Sequence, residues 1–534
     1  MIRAPLPAQT GFLAGVLAAA LMILIMLALR LATGAPSVLE LLADGILGVM
    51  PPAYFESLLD SMRQSAKPVL YAIMVLGQII VGGVIGQWYG HHRRRRRVLL
   101  TVIALWAMFG LLLFPALGLG VFGSSVRDDA PGIAGASLLA FLSFGVLLLI
   151  LVAQLKPPPE SVEVVNRRRF IGWLGTVTAG SILALAGWRF GLSLDRPGRA
   201  AEPEASPVKP PDDGLPHGSG PATSESAFGV TGLPREITPT ADFYTVSKNL
   251  SFLDPVIDTR TWQLRVDGLV ERPLLLTFDD VSRLPAVTDF YTLECISNEV
   301  GGDLIGNAQW KGFHLADLLS QAQLKPGVVK VIFYCSDDYQ VSITVDRAMH
   351  PDTIGAYEMN GAPLAKEHGA PLRILVPGLY GMMNAKWVRR IELVNHDHKG
   401  YWQGKGWSDV ASYQTSSRID VPRKGPIAAA GPVTVGGIAF AGDRGLSGVD
   451  VSFDKGKTWV PAELKPPLSR NAWGLWRYTW NAAPGSYTVW ARATDGLGQI
   501  QPAEVHGPLP DGATGLPEAA FKVAAEAKPR NGAF

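Results

Sequence analysis

The residue with the clearest chemical potential in this sequence is Cys295, one of two cysteines in a chain of 534 residues. It follows the strand-like segment Tyr291–Glu294 and opens a polar loop that contains Gly301. A cysteine at the end of a strand can present its sulfur to a site, and a thiolate is a good ligand for soft metals. Two other interpretations stay open: packing as a small buried side chain, or a disulfide with Cys335 if the protein is exported.

Three basic side chains, His368, Arg373 and Lys386, fall near turns that contain glycine and proline. Glycines let backbone N–H groups approach a ligand closely, and an arginine can bind a phosphate through two hydrogen bonds at once. The pattern therefore suits an anion such as a phosphate. Charged side chains on a solvated surface would explain the same pattern equally well.

Strands and helices must bring these residues together, and the sequence predicts a mixture of both between residue 233 and about residue 420. Thr277–Asp280 has the polar and acidic residues of a helix entry. Val331, Phe333 and Cys335 alternate on one face of a strand, so Cys335 is predicted to pack in a core. The predicted strands are Thr261–Val266, one that opens at Leu275, the hairpin Val329–Cys335 and Gln340–Val345, then Arg373–Val376 and Val388–Val394.

The C-terminal region is predicted to be a β-sandwich, because short β-prone runs alternate there with turn sequences. Trp476, Tyr478 and Trp480 alternate along one run and so share a face, which is more typical of a core or an interface than of a ligand platform. The predicted strands are Val433–Phe440, Gly448–Phe453, Trp459–Leu464, Trp473–Trp480 and Ser486–Ala493.

Five apolar runs near the N-terminus are each long enough to cross a bilayer as a helix, which takes about 20 residues. Pro115 lies inside the third run, where a membrane helix tolerates a kink. The segment Val38–Leu59 carries acidic residues and is predicted to be amphipathic or interfacial. The five runs are Gly11–Leu29, Val69–Gly90, Val98–Val126, Ala130–Leu155 and Phe170–Trp188.

Basic residues in the loops predict the orientation of these spans. Arg93–Arg97 follows the second run and Arg167–Arg169 precedes the fifth, whereas the alternate loops contain few lysines and arginines. The basic loops are predicted to face the cytoplasm, which places everything after residue 195 on the other side. Arg167–Arg169 and the apolar run behind it also resemble a twin-arginine export signal, although a simple cytoplasmic stop would look the same.

The composition agrees with this division and excludes several classes of protein. Charged residues make up 18% of the chain and hydrophobic ones 48%, whereas a soluble chain carries about 25% charged residues. The net charge of +2 argues against a nucleic-acid binder. Two cysteines exclude a disulfide-rich scaffold and an all-cysteine zinc or iron–sulfur site. The stretch Pro197–Ser226 is rich in Pro, Gly and Ser and is predicted to be a tether.

Taken in order, these segments resemble the sulfite oxidase family of molybdenum enzymes over Thr238–Pro502. The segments that carry the resemblance are Asp242–Asn249, Trp262–Gly268, the cysteine segment, Trp310–Phe313, His368–Lys386 and the tryptophan-rich sandwich. The resemblance implies an α+β sulfite-oxidase-type molybdopterin-binding domain and a C-terminal immunoglobulin-like β-sandwich that serves for dimerisation. The predicted domains are residues 1–195 (a five-helix transmembrane region), 196–232 (linker), 233–424 (molybdopterin-binding domain), 425–525 (sandwich) and 526–534 (disordered tail).

The resemblance also implies roles for single residues. Cys295 would supply the protein thiolate to molybdenum and would be catalytic. The residues that would bind or line the cofactor are Phe243, Tyr244, Asn249, Asn298, Gly301, His368, Arg373 and Lys386. Lys248 falls near the position of an expected substrate arginine and is the second candidate catalytic residue.

The substrate does not follow from the resemblance. Sulfite oxidases gather arginines around the metal to bind the sulfite dianion, whereas the loop after Cys295 contains Glu299 and no arginine. The periplasmic methionine sulfoxide reductase branch, which binds a neutral sulfoxide, has no membrane helices and no sandwich. A small substrate of the sulfite or sulfoxide type is the expectation.

The resemblance and the apolar runs together predict a membrane-anchored oxidoreductase with a molybdenum–molybdopterin cofactor, on the periplasmic or extracellular side of a bacterial inner membrane. None of the nine histidines lies in an apolar run, so no haem is expected there and electrons must pass to a separate cytochrome or quinone-linked protein. Membrane lipid and a second copy bound through the sandwich are the other expected partners, and no nucleic acid. The alternative is a non-enzymatic, membrane-tethered binding or sensor protein that reuses the fold.

Overall fold

The structure is a computed structural model that describes residues 7–33, 36–49, 66–92, 95–124, 130–154, 228–249, 254–422 and 426–524. The chain divides into two compact units. The N-terminal unit holds the helices up to residue 154, and the C-terminal unit holds the described residues from 228 onward.

The N-terminal unit contains helices and connecting turns, and no strand, in its described part. A π-helical turn at Phe109–Leu113 leads into the short helix that contains Pro115, because proline lacks the N–H that would continue the regular hydrogen-bond ladder. The helices are α1 (Ala8–Thr33), α2 (Val38–Val49), α3 (Ala66–His92), α4 (Arg95–Met108), α5 (Phe114–Ala116) and α6 (Ala130–Gln154).

Four described stretches are long and apolar enough to cross a membrane, namely Ala8–Arg30, Val69–His91, Arg96–Ala116 and Pro131–Gln154. They coincide with the first four predicted runs, but the third ends ten residues before Val126. The helix stops there because Gly118 and Gly120 take positive φ angles of 75° and 72°, which right-handed helices do not contain. The fifth predicted run and the Arg167–Arg169 segment lie outside the described residues, so five spans remain a prediction.

Small residues let α1 and α3 pack closely. A Cβ atom added to Gly15 would lie 2.1 Å from the carbonyl oxygen of Gly82, and one added to Gly86 would lie 2.5 Å from the Cα of Gly15. Such contacts between backbones are typical of helix pairs in membranes. There the hydrophobic effect does not drive association, and small residues allow the close van der Waals packing that does. The interfacial prediction at Val38–Leu59 has a helix, α2, over its first half, and its second half lies outside the described residues.

The C-terminal unit begins with an α+β region, residues 228–415. Its strands are β1 (Gln263–Gly268), β2 (Leu274–Thr277), β3 (Ala286–Glu294), β4 (Ile305–His314), β5 (Lys330–Cys335), β6 (Gln340–Thr344), β7 (Ile354–Met359), β8 (Ala362–Pro363), β9 (Arg373–Leu375) and β10 (Val388–Val394). Its helices are α7 (Phe278–Ser282), α8 (Leu315–Ala322) and α9 (Val345–Ala348).

These strands form two sheets, one with the order β2-β1-β10-β5-β6 and one with the order β3-β4-β7-β8, in which β9 also pairs with β7. The strands predicted from alternation are confirmed with ends shifted by up to two residues. The predicted helix entry is also confirmed, because Thr277 and Asp280 form a reciprocal capping box at the start of α7. Cys335 is fully buried in the core, as its place in the alternation predicted.

The sandwich, residues 416–524, has two sheets with the orders β11-β13-β17-β16 and β12-β19-β18-β14-β15. Val435 and Trp476 from the first sheet share a buried core with Val451 and Val489 from the second. The strands are β11 (Ser416–Val421), β12 (Pro426–Ala429), β13 (Gly431–Phe440), β14 (Leu446–Ser452), β15 (Val460–Pro461), β16 (Glu463–Leu464), β17 (Gly474–Ala482), β18 (Gly485–Asp495) and β19 (Glu518–Ala524).

One strand that pairs into the sandwich, β11, precedes the boundary predicted after residue 424. Strand β11 pairs with β13 over most of its length, with Ser416 opposite Phe440. Its sequence does not alternate clearly, which is why composition alone did not assign it to the sandwich. Ile438, Phe440, Trp473 and Leu475 of the sandwich also belong to the largest core of the α+β region, so the two parts share one hydrophobic interior.

Candidate functional site

The cysteine loop, residues 294–304, is held in shape by its own backbone. The N–H of Cys295 donates to the carbonyl oxygen of Leu304 at 2.9 Å and closes the neck of the loop. Inside it, Asn298 N–H donates to the Cys295 carbonyl at 2.9 Å, and Gly302 N–H donates to the Glu299 carbonyl at 2.8 Å. Strand β3, which ends at Glu294, therefore delivers Cys295 at a fixed point with its Sγ 3.0 Å from the Ser297 hydroxyl.

Both cysteines are buried and neither is disulfide-bonded, so the disulfide that the sequence left open is not formed. The reason lies in their elements. Cys335 ends β5 inside the first sheet, whereas Cys295 follows β3 of the second sheet. The sulfur of Cys295 is thus available for other chemistry.

Glu294 and Asn298 brace the cysteine loop from inside. Asn298 Nδ2 donates to Glu294 Oε1 at 2.8 Å, and Leu304 N–H donates to Asn298 Oδ1 at 2.9 Å. Burial raises the pKa of Glu294 to about 7, against the hydrogen bond from Asn298 and the charge of Arg418, which lower it. Gly301 has a φ of 76° and open space around it, so this position requires a residue that tolerates the left-handed region.

Four tyrosines surround the cysteine: Tyr244, Tyr339, Tyr380 and Tyr413. Burial raises the pKa of each phenol, and the nearby Cys295 adds to the effect. The backbone N–H of Glu294 donates to the Tyr413 hydroxyl at 3.3 Å, and Tyr339 donates to the Met382 carbonyl at 2.7 Å. All four therefore stay neutral, and they form a polar but uncharged wall. The sequence reasoning missed Tyr339, Tyr380 and Tyr413, because isolated tyrosines in different segments carry no motif.

Arg373 lies in β9 with 7% of its surface exposed. Its Nη1 donates to the His368 carbonyl at 3.2 Å, its guanidinium lies 5.4 Å from the Trp310 ring centre, and its buried Nε has no hydrogen-bond partner. Burial lowers its pKa to about 10, so it remains a cation at neutral pH. Among the ion pairs of the described residues, none includes Arg373.

Lys386 and His368 lie beside this arginine. Burial, followed by the charge of Arg373, lowers the pKa of Lys386 to about 8. Lys386 Nζ donates to the Glu367 carbonyl at 3.0 Å and lies 4.1 Å from the Trp387 ring centre. His368 is 1% exposed, contacts the Thr240 carbonyl oxygen through Nε2 at 3.0 Å, and has a pKa lowered by burial. The cluster is therefore cationic, although carbonyl oxygens are its only hydrogen-bond acceptors among the described contacts.

Phe243 and Tyr244 connect this cluster to the cysteine. The two rings stack with centres 5.5 Å apart, and Phe243 meets the His368 ring edge-on at 5.6 Å. The charge of Tyr244 would interact with both Cys295 and Arg373. The structure thus brings Tyr244, Cys295 and Arg373 together from three distant segments.

Lys248 and Asn249 lie on another side of the site. Asn249 Nδ2 donates to Asp337 Oδ2 at 3.3 Å, and Lys248 Nζ lies 5.6 Å from the Tyr401 ring centre. The charge of Lys248 lowers the pKa of Asp337, against burial, which is the larger effect and raises it. Lys248 is thus placed toward the Cys335 end of the hairpin, and its catalytic role stays a prediction.

The donor set fits a phosphate-bearing cofactor that also carries a soft metal. Arg373 has a buried, unsatisfied N–H, and neither Arg373 nor Lys386 forms a close ion pair within the described residues, although the charges of Asp254 and Asp337 act on Lys386. An anion would supply the missing acceptors. A thiolate at Cys295 would complete a metal centre whose other ligands come from the cofactor. Fold and site together define a molybdopterin-binding oxidoreductase.

Comparison with known proteins identifies the family. Residues 252–402 match the oxidoreductase molybdopterin binding domain, and residues 409–509 match the Mo-co oxidoreductase dimerisation domain. Mitochondrial sulfite oxidase of Mus musculus is 32% identical over 318 residues, which are 50% of this chain and 58% of that protein. Sulfite oxidase of Gallus gallus is 32% identical over 322 residues, which are 51% of this chain and 69% of that protein.

Two further likenesses are more limited. The oxidoreductase YuiH of Bacillus subtilis is 33% identical over 150 residues, which are 28% of this chain and 74% of YuiH. The crystal structure of the sulfane dehydrogenase SoxCD from Paracoccus pantotrophus covers 52% of this chain and 79% of its own with 25% identity and a TM-score of 0.46.

The chain belongs to the sulfite oxidase family of molybdopterin-dependent oxidoreductases. Its molybdopterin-binding domain indicates a molybdenum–molybdopterin cofactor, and its dimerisation domain suggests a homodimer. The chain spans 58% of the length of the mouse relative, and its first 251 residues fall outside the two family matches.

Proposed function

We propose that this protein is a membrane-anchored molybdenum-cofactor oxidoreductase that transfers an oxo group to or from a small substrate. The observation that carries the proposal is the combination of a cysteine outside any disulfide at a loop neck with Arg373, whose buried Nε has no hydrogen-bond partner, and with Lys386 beside it. Such cations cost free energy in a protein that never binds an anion. The same pairing does not favour a tethered sensor that reuses the fold without its cofactor.

Each residue of the site has a proposed role. Cys295 supplies the thiolate ligand, and Arg373 and Lys386 hold the phosphate end of the pterin. His368, Phe243, Tyr244 and Asn249 line the cofactor, and Asn298 and Gly301 shape the loop beside the metal. When bound, the cofactor would supply a metal that takes up two electrons when it gives an oxygen atom to the substrate and releases two electrons when it accepts one. Lys248 is proposed to steer the substrate.

Several parts of the proposal reach beyond the site. The substrate is proposed to be small and of the sulfite or sulfoxide type, and the relatives' names favour sulfur chemistry. Electrons are proposed to pass to or from a separate cytochrome or quinone-linked protein. The predicted limits at residues 233–424 and 425–525 for the two exported domains remain part of the proposal.

The decisive experiment measures molybdenum and pterin in the purified full chain. Cys295→Ser is expected to lose more than about 90% of its molybdenum and about 100-fold or more in dye-linked activity, because serine is a poor ligand for a soft metal. Cys335→Ala is the matched control, since it removes the other buried thiol and is expected to keep its metal. Wild-type protein without molybdenum or pterin, or Cys295→Ser with full metal and activity, would contradict the proposal.

The membrane anchor and its orientation need a separate test. We propose that the four candidate spans, with a fifth at Phe170–Trp188, leave the C-terminal unit on the periplasmic side after twin-arginine export. An alkaline phosphatase fusion after residue 200 should then be active and one at Arg95 inactive. The reverse result would show that the proposed orientation is wrong, and it would leave the cofactor assignment unaffected. Replacement of both Arg167 and Arg168 by lysine should block export of the loaded enzyme if the twin-arginine route is used.

A further inference from the structure

A hydroxyl group lies beside the sulfur of Cys295. Ser297 Oγ is 3.0 Å from Cys295 Sγ, which is within hydrogen-bonding distance, and the sulfur is the single hydrogen-bonding partner of this hydroxyl among the described residues. Cys335 differs, because it is fully buried in a core of apolar side chains. The thiol that is proposed to bind the metal is therefore the one with a polar side chain against it.

The residues on either side of Ser297 fix its position. Ser297 lies in a turn that the Asn298 N–H closes by donating to the Cys295 carbonyl at 2.9 Å. Ile296 is 4% exposed and belongs to the largest core, and Asn298 is 7% exposed and hydrogen-bonds to Glu294. Because both neighbours are held, the backbone of Ser297 is held too, and its hydroxyl stays within reach of the sulfur.

The direction of this hydrogen bond depends on whether Cys295 carries its proton. In the thiol form, either the sulfur or the hydroxyl can be the donor. A cysteine that binds a metal has lost its proton, and a thiolate can only accept. The Ser297 O–H is then the donor, and a hydrogen bond to a charged acceptor is stronger than one between two neutral groups.

A hydrogen bond to a metal-bound thiolate also changes the metal. It draws electron density toward the hydroxyl proton, so the sulfur donates less of it to the metal and the reduced metal is stabilised. Hydrogen bonds around ligand sulfurs are among the factors that set the reduction potentials of blue-copper and iron–sulfur sites. The same physical effect applies to any metal that the Cys295 thiolate binds.

We infer that Ser297 is a positioning residue whose hydroxyl donates to the Cys295 thiolate in the loaded enzyme and raises the reduction potential of the metal. The inference rests on the proposed function, since it requires Cys295 to be the metal ligand. Ser297 itself transfers no proton, electron or oxygen atom. A metal that is easier to reduce takes electrons from a substrate more readily and passes them to an electron partner less readily.

The test compares Ser297→Ala, which removes the hydroxyl, with Ser297→Thr, which keeps it. Dithionite supplies electrons to the molybdenum-loaded full chain in a dye-mediated titration that is followed by EPR. In Ser297→Ala the equilibrium constant for one-electron reduction is expected to fall about tenfold, which is about 59 mV. Ser297→Thr is expected to stay within about threefold of the wild type. An unchanged or raised potential in Ser297→Ala, or equal shifts in both variants, would overturn the inference.

Wild-type protein offers a measurement that does not depend on the folding of a variant. Transfer from H₂O to D₂O replaces the hydroxyl proton of Ser297 with deuterium. The metal–sulfur stretching band in the resonance Raman spectrum should then shift, because the hydrogen bond acts directly on the sulfur. An identical band in the two solvents would contradict the inference.

Failure of this inference is distinguishable from failure of the proposed function, because molybdenum is determined on every sample. Loaded protein whose potential does not respond to Ser297→Ala would remove the role of Ser297 and leave the enzyme assignment standing. Wild-type protein without molybdenum, or Cys295→Ser with full molybdenum and activity, would remove the proposed function itself.

Discussion

Two groups of charged side chains in the C-terminal unit, each with one fully or nearly fully buried member, differ in how their charges are compensated. Where the sandwich meets the α+β region, Arg444 Nε lies 2.7 Å from Asp495 Oδ2, and Arg347 Nη1 lies 2.6 Å from Asp443 Oδ2. In the cofactor cluster, Arg373 and Lys386 have carbonyl oxygens and aromatic rings as neighbours and form no ion pair within the described residues. The charges of the first group are compensated without a ligand, whereas the charge of the second group needs an anion to compensate it.

This difference separates residues whose ion pairs stabilise the fold from residues whose charge is compensated only when a ligand is bound. Removal of one partner from a buried ion pair leaves the other charge uncompensated and destabilises the fold. Removal of a buried cation that has no partner takes away a cost that only the ligand offsets. Substitutions in the two groups should therefore change stability in opposite directions.

The largest expected effect is at Asp495, which is fully buried and accepts hydrogen bonds from the backbone N–H groups of Leu497 and Gln499 as well as from Arg444. Asp495→Ala is expected to lower the free energy of unfolding by about 3 kcal/mol. Urea denaturation measures the change, with the exposed Glu504→Ala as control. A loss no larger than that of the control would show that this ion pair does not hold the junction.

At Arg373 we expect a substitution to weaken cofactor binding without lowering the stability of the cofactor-free protein. Arg373→Met should weaken retention of the pterin about 10- to 100-fold, because it removes charge-assisted hydrogen bonds to the phosphate. The stability of the cofactor-free protein should stay the same or rise. Dialysis followed by pterin fluorescence gives the first quantity and urea denaturation the second, with the exposed Arg389→Met as control. If the cofactor-free variant is strongly destabilised and retains the pterin normally, Arg373 stabilises the fold and does not bind the cofactor.

The smallest expected effect is a pH dependence caused by Lys386. Its folded-state pKa of about 8 lies below the value of about 10.4 in an unfolded chain. Between these values the unfolded chain binds more protons, so the contribution of Lys386 makes the cofactor-free protein more stable as pH rises. Denaturation between pH 8 and 9.5 should show a steeper rise for the wild type than for Lys386→Met. Parallel curves would mean that Lys386 is not desolvated in solution.

Much of the fold followed from local patterns. Alternation located β1, β5, β6 and β10, and the Thr277 capping box located α7. Strand β4, Ile305–His314, was not predicted, because its buried side includes Asn307, which is 0% exposed. Asn307 is accommodated there because it hydrogen-bonds to the Glu236 carbonyl at 2.7 Å and lies 3.0 Å from the Thr292 hydroxyl. A buried polar residue breaks the alternation of apolar and polar side chains, so a prediction based on that alternation misses the strand.

The candidate site was predictable only in part, for a related reason. The types of Cys295, Arg373 and Lys386 suggested a thiolate and an anion site, but nothing local linked them. Tyr413 lies 118 residues from Cys295 in the sequence, and only the folded chain sets its hydroxyl against the backbone of Glu294. The tether and the fifth apolar run lie outside the described residues, so their predictions stand untested.

The hydrophobic interior that the sandwich shares with the α+β region has a consequence for how such proteins change over generations. Trp473 of the sandwich donates its backbone N–H to the Thr292 hydroxyl at 2.9 Å and its indole N–H to the Glu236 carbonyl at 3.0 Å. A gene rearrangement that exchanged the sandwich for a distant relative's would also remove part of the wall behind the cysteine strand. The two domains are therefore expected to be inherited as a pair, so that phylogenetic trees built from each of them should agree.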